Sequence, residues 1–473
     1  MKSRIFSVIW VAAVVTACGG GGGSQMAGID GGGSPFTPPV VTAVVSRGTI
    51  SGFGSVIVNG VRFDVSGATI TIDGSPGIEA DLEVGQVVTI RGTLDDSGST
   101  GTADSLSFDD SVEGPISAID TVAGTIVVLG QTVFVDASTS FDGALSLATL
   151  SVGDVIEVTG FVRADGSTSA TRIEAKPPGG TFEVTGIANN VSATTFEIND
   201  LVVDYSAAML NDFPGGAPVN GQLVEAKGLS LGGAGELLAT SVEFKGGDLT
   251  GDDGDRIEVE GFITRFSSPT DFDVEDVPVT TNAQTVFEFG TSADLALNRK
   301  VEVEGQIDAT GLVTAEKIEL KQAGFIRIES TVESVQSDQL TVLGIAVTVN
   351  VSTRIEDKSS AEVEPFSLAD INVGDYVELR GFEDGSGVVA TQVEREDFDG
   401  EVALRGFVES VSNPDLSILG VTIQTNGATQ FEDLNDQPIT SATFFGQAQG
   451  RLVEAKGTLS NGMIIAEEVD LEN

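Results

Sequence analysis

A short pattern returns six times along this chain. An apolar stretch ends in glycine, and nine to eleven residues later a second stretch opens on alanine. The glycines are Gly92, Gly160, Gly228, Gly305, Gly381 and Gly457; the alanines are Ala103, Ala170, Ala239, Ala315, Ala390 and Ala466. A period of roughly 70 residues means an array of one small domain. Aligning the recurrences gives six units, at 48–110, 112–176, 183–245, 257–321, 327–396 and 402–471.

Most units open with glycine shortly before an aliphatic residue, as in Gly48-Thr49-Ile50 and Gly261-Phe262-Ile263, with Ser330 replacing the glycine in the fifth. A β-branched run around a glycine turn follows (Thr125 to Val135, Gln339 to Val349), which is a hairpin signal. Threonine recurs just after it, at Thr69, Thr139, Thr285, Thr353 and Thr429. That spacing suits an apolar plug whose hydroxyl caps nearby backbone. A polar segment able to form one helical turn comes next. Val-Gly-Asp (Val152 to Asp154, Val373 to Asp375) then turns the chain into a fourth strand, and a second hairpin brings the fifth. Five short strands with a helical turn between the third and fourth is the order of an OB-type barrel. The expected fold is therefore all-β: a tandem array of six small five-stranded OB-like β-barrels behind a signal peptide and a flexible linker. About 60 residues is near the lower limit for an independent core, so contacts between neighbouring barrels should matter. The recurring glycines suit tight corners where no Cβ fits.

The Gly-x-aliphatic opening, the Thr-x-apolar plug, Val-Gly-Asp and the closing Ala-x-x-Ile resemble a small repeated domain of bacterial lipoproteins, DUF5666, a domain of unknown function. The resemblance implies the barrel and the lipoprotein character, and brings no catalytic residues. Units three and six share Leu-Val-Glu-Ala-Lys-Gly at 223–228 and 452–457, and units two and five share Val-Gly-Asp. An older triplet duplicated to 3+3 would explain this, with the break at Gly246 to Asp255 and a gap in packing between units three and four.

The N-terminus has the features of a processing signal. Lys2 and Arg4 precede an apolar run from Phe6 to Val15, shorter than the roughly 20 residues a membrane helix needs. Val15-Thr16-Ala17-Cys18 resembles a lipobox, in which Cys18 carries the lipid and begins the mature chain; residues 1–17 are then the signal peptide. Gly19 in place of aspartate argues, by the same resemblance, against retention at the inner membrane. Residues 18–47, rich in Gly, Ser and Pro, make a tether. The expected location is the bacterial cell envelope, as an outer-membrane lipoprotein touching the membrane only through its lipid.

Formal net charge is −47, from 24 basic and 71 acidic residues. A surface this acidic repels phosphate backbones, so nucleic acid is not an expected partner. The sequence holds no histidine and one cysteine. With Cys18 consumed by lipid, Ser-His-Asp and Cys-His nucleophiles, His/Cys zinc sites and disulfides are all excluded.

Two carboxylate patterns remain. Glu157, Glu225, Glu302, Glu378 and Glu454 recur three residues before the strand-four glycine, where strand alternation points them away from their own barrel core. They are expected to face solvent, paired across to Arg172 or Lys317. Asp248, Asp252, Asp253 and Asp255 crowd the glycine-rich linker 246–256, and such carboxylates are the ligands Ca²⁺ takes, although the EF-hand spacing fails because its twelfth position is Val259. The plainer expectation there is a solvated acidic linker. Repetition of one fold with no recurring reactive residue favours binding over catalysis. The expected function is a monomeric, non-catalytic envelope scaffold or binding protein for a protein or glycan partner, without a cofactor unless Ca²⁺ binds. The alternative is a calcium-stiffened stalk or adhesin-like spacer.

Overall fold

The hairpin turns show why these sequences make barrels. Leu129-Gly130 and Leu343-Gly344 both have positive φ at each central residue, the type I′ geometry whose twist matches two flanking antiparallel strands. The computed structural model describes residues 42–472 apart from 137, 143, 144, 247, 248, 250, 323, 385, 386, 435 and 436. Cys18, the expected signal peptide, residues 18–41 of the expected tether and Asp248 lie outside the described residues. Strand makes up 55% of the structure and helix 3%. No described helix is long and apolar enough to cross a membrane.

Repeat 4 shows the common plan. Its strands are Arg256–Ser268, Asp271–Val274, Val277–Thr280, Lys300–Ile307 and Val313–Leu320. The first pairs antiparallel with the second and the fourth, the third runs parallel to the fifth, and the fourth and fifth pair antiparallel. This closes the sheet in the order 1-2-3-5-4-1, the order expected of an OB-type barrel. In repeat 3 the first and second strands meet only through the Asn189–Glu197 bridge. The expected helical turn between strands three and four is a 3-10 turn at Glu79–Asp81, Ser292–Asp294 and Leu368–Asp370, and a short α-helix at Ser441–Phe445.

The returning glycine and alanine face each other. Gly92↔Ala103, Gly160↔Ala170, Gly228↔Ala239, Gly305↔Ala315, Gly381↔Ala390 and Gly457↔Ala466 are register partners, each beside a β-bulge. A Cβ on any of these six glycines would lie closer than 3.0 Å to the carbonyl oxygen of the residue before the alanine. The glycine is thus fixed by close backbone approach at a bend. The threonine locks the same corner. Thr139, Thr285, Thr353 and Thr429 donate through Oγ1 to the carbonyls of Ala170, Ala315, Ala390 and Ala466 at 2.7–2.9 Å. Each hydroxyl also accepts a backbone N–H three residues upstream.

The first strands carry the higher order. Each pairs along one edge with the fourth strand of its own barrel and lends part of its other edge to a neighbouring barrel. In repeat 1 the strand is Thr42–Gly52, so it begins ahead of the boundary expected at residue 48. Its segment Val44 to Arg47 pairs in parallel with Arg256 to Val259 of repeat 4. Repeats 2 and 3 join through Val112 and Glu113 antiparallel to Val184 and Glu183, and repeats 5 and 6 through Arg327 to Glu329 antiparallel to Arg405 to Ala403. Three sheets of 13, 12 and 12 strands result, holding repeats 1 with 4, 2 with 3, and 5 with 6. The cores follow the seams: one apolar cluster spans repeats 2 and 3, another spans repeats 5 and 6, and Val45 of repeat 1 packs into the cluster of repeat 4. Among the described residues no strand of repeat 3 pairs with one of repeat 4, while repeats 1 and 4 meet at their first strands.

Candidate functional site

The recurring glutamates are not solvent-facing. Glu157, Glu225, Glu302, Glu378 and Glu454 are between 2 and 8% exposed. They do point away from their own barrels, as strand alternation demands, but neighbouring barrels cover them. Their partners also differ from those expected. Glu157 pairs with Lys176 at 2.6 Å, Glu302 with Lys321 at 2.7 Å, and Glu378 and Glu454 share Arg327 at 2.9 and 2.6 Å. Arg172 instead binds Glu83, Glu174 and Glu356, tying repeats 1, 2 and 5 together, and Lys317 binds Glu304 and Glu288. Each of the five carboxylates is held by at least one cation.

Seam burial has a pH consequence at Glu258, which is buried beside Arg256 with Glu304 directly opposite on the paired strand. Burial, reinforced by Glu304 and Glu302, pushes its carboxyl up to about 7 against the pull of Arg256. The folded pKa lies above the ordinary value of 4.5, so the folded state holds the proton longer than the unfolded chain. The stabilisation is complete below the ordinary value and is lost as pH rises through about 7. Thermal unfolding is expected at higher temperature at pH 5 than at pH 8. Glu258→Gln should flatten that slope, removing up to about 3 kcal/mol of pH-dependent stability.

Where repeats 1, 2, 4, 5 and 6 converge, they line a cleft of about 490 Å³. Its charge runs against that of the chain: six cations (Arg163, Arg299, Lys300, Lys321, Arg354, Arg405) face four carboxylates (Asp136, Glu260, Glu302, Glu319). The carboxylates on repeat 4 are occupied. Glu260 binds Lys300 at 2.8 Å and accepts the Thr49 N–H at 2.9 Å, while Glu302 and Glu319 hold Lys321 at 2.7 and 2.9 Å. Burial alone would raise the Glu260 carboxyl, but Lys300 and Lys321 hold it at about 2. Arg354 is spent on Thr171 and Gln392 at 3.2 Å and on the Ser138 carbonyl.

Three guanidinium groups are not so satisfied. Arg163, Arg299 and Arg405 each bury an Nε–H without an acceptor among the described residues. Arg163 and Arg299 make no ion pair there, Arg163 lying over the rings of Phe134 and Phe262 at 4.6 and 5.3 Å. A buried donor left unpaired costs about 1–3 kcal/mol, and more on a charged group. Around these donors the cleft presents Phe262, Phe289, Phe325 and Phe382 together with Asn298, Gln322, Asn350 and Thr391. Phe289 and Phe382 meet edge to face at 5.3 Å across repeats 4 and 5. Rings for apolar faces, amides and hydroxyls for polar edges, and guanidinium groups for negative charge form a surface able to recognise a ligand.

Of the aspartates expected to bind an ion, the three described ones do not line this cleft. Asp252, Asp253 and Asp255 sit in an exposed turn in which the Asp255 carboxylate accepts the Asp252 N–H at 2.8 Å. None of these three belongs to a described carboxylate group close enough to share an ion. The cleft arginines occupy non-equivalent positions in their repeats, so the recurrence hides them; only the scarcity of cations in so acidic a chain marks them.

Closed OB-type barrels that share their first strands around a common cleft define a class of repeat protein. Residues 40–105, 113–174, 182–243, 260–319, 329–394 and 405–470 each match the family described as domain of unknown function, DUF5666, and the chain belongs to that family. No curated protein matches the chain.

Proposed function

We propose that this chain is a non-catalytic, lipid-anchored binding protein of the bacterial cell envelope, and that its cleft takes an acidic glycan. The observation that carries this reading is the set of three buried guanidinium Nε–H groups without acceptors in one aromatic- and amide-lined recess. A carboxylate-bearing sugar supplies acceptors for the arginines, hydroxyls for the amides and an apolar ring face for the phenylalanines. At about 490 Å³ the recess is within the usual range for small-ligand sites. Catalysis is not part of the proposal, because the repeat 4 carboxylates that could act as acid or base are held in ion pairs with Lys300 and Lys321.

Calorimetric titration with uronic-acid oligosaccharides and their neutral, carboxyl-reduced counterparts tests it. Binding of the acidic series alone is expected, weakening with salt, and Arg299→Gln should reduce affinity at least about tenfold, or 1.4 kcal/mol. Equal affinity for neutral and acidic sugars, or no effect of Arg299→Gln, would sink the reading. A protein partner is favoured by a separate feature, the apolar outer surface of repeat 3, where Val202 and Leu238 on neighbouring strands are exposed along with Met209 and Leu229.

A further inference from the structure

Asp110 lies in the connector between the last strand of repeat 1 (Thr100–Phe108) and the first strand of repeat 2 (Val112–Asp120). It is 2% exposed, and neither carboxylate oxygen has a hydrogen-bond partner. It is also the common member of two carboxylate groups. Oxygens of Asp110, Asp73 and Glu183 lie within 4.8 Å of one another, and so do those of Asp110, Glu113 and Glu157. The strand register explains the crowding. Glu113 is the direct partner of Glu157 on one side and of Glu183 on the other, so three glutamates stand abreast on adjacent strands of two repeats. Like charges directly opposite across a sheet are destabilising. Lys176 reaches Glu157 at 2.6 Å and Lys227 reaches Glu183 at 2.8 Å, from opposite flanks. No cation among the described residues pairs with Asp110 or Glu113 at the centre.

We infer that Asp110, with Asp73, Glu113, Glu157 and Glu183, forms a Ca²⁺ site that clasps repeats 1, 2 and 3. An all-carboxylate set drawn from separate segments suits a large, hard cation with flexible geometry better than Mg²⁺, which demands a near-ideal octahedron and keeps its waters. The site is independent of the glycan reading and lies apart from the acidic linker at 252–255. The ion would supply the central positive charge that the two flanking lysines do not, and would fix the connector on which Asp110 stands.

The test uses the full-length protein stripped of divalent ions with EGTA and dialysed. Ca²⁺ at about 1 mM is expected to raise the melting temperature by about 5 °C, with Mg²⁺ at the same concentration giving less than half that shift. Asp110→Asn should abolish the calcium-dependent shift, while the double variant Asp252→Asn, Asp255→Asn keeps it. If Asp110→Asn does not fold, Glu113→Gln, at a half-buried position, carries the test and should weaken calcium binding at least about tenfold. No shift in the parent protein, or an equal shift in parent and Asp110→Asn, overturns the site. A shift lost in the linker variant and kept in Asp110→Asn moves the ion to the linker and overturns it equally.

Discussion

Replacing Arg327 by methionine should lower stability by about 4 kcal/mol and the melting temperature of the repeat 5–6 pair by about 10 °C. The side chain stands at the seam where Arg327 itself is the register partner of Arg405. It binds Glu378 at 2.9 Å in its own repeat, Glu454 at 2.6 Å in the next, and Glu329 beside it. All three carboxylates are largely buried, so removing the arginine leaves negative charge in a poorly solvated seam. Removing one partner of such a pair costs far more than the pair contributes net, because the remaining ions lose compensation and cannot regain water. Arg265 provides the contrast. Its pairs with Asp271 and Asp273 are solvent-exposed, and Arg265→Met should leave the unfolding curve almost unmoved. Equal effects of the two substitutions would show that the seam is not held by its charges.

Gly457→Ala is expected to cost about 3 kcal/mol, a large penalty for one methyl group. The added Cβ would press on the carbonyl oxygen of Ile465 and on the Cα of Ala466. Both are backbone atoms of a strand held in register, and they cannot swing aside as a side-chain end would. The bulge between Lys456 and Gly457 would have to open, disturbing the corner at which Thr429 donates to the Ala466 carbonyl. Gly215→Ala is the control. It has no neighbour within 4 Å and no positive φ, so alanine there should be neutral or slightly stabilising. Thermal melts of the two variants separate close approach from loss of glycine as such; matching melts would refute the corner argument.

The architecture of one barrel was legible because it repeats. Gly92 and its five counterparts mark the same corner six times, threonine recurs in five units and Val-Gly-Asp in two, and the family model matches six corresponding stretches. What lies between barrels was not legible. Alternation along Val-Glu-Val shows that Glu302 leaves its own core, but nothing local states that another barrel will cover it. The pairing of Val44 to Arg47 with Arg256 to Val259 joins segments some 200 residues apart and carries no mark beyond β-branched character. The cleft and the Asp110 cluster share that origin. Arg163, Arg299 and Arg405 follow no common spacing, and Asp73, Asp110 and Glu183 become neighbours only when three repeats assemble. The acidic linker, by contrast, was conspicuous in the sequence because its aspartates are adjacent, and adjacency in a turn does not make carboxylates converge.

The parallel seam between repeats 1 and 4 also sets an order of events during synthesis. Repeats 2 and 3, and later 5 and 6, join through first strands of consecutive units, so each pair can complete itself soon after its second member emerges. Repeat 1 cannot. Its strand edge at Val44 to Arg47 stays unpaired until Arg256 to Val259 has been made, while two further barrels fold in the interval. An open, apolar strand edge is a template for pairing with another chain, and long-range parallel pairing is intrinsically slow. The seam that waits longest for its second strand is therefore the one that begins nearest the N-terminus, and the newborn chain is most exposed to sticking to its neighbours while repeat 4 is still missing.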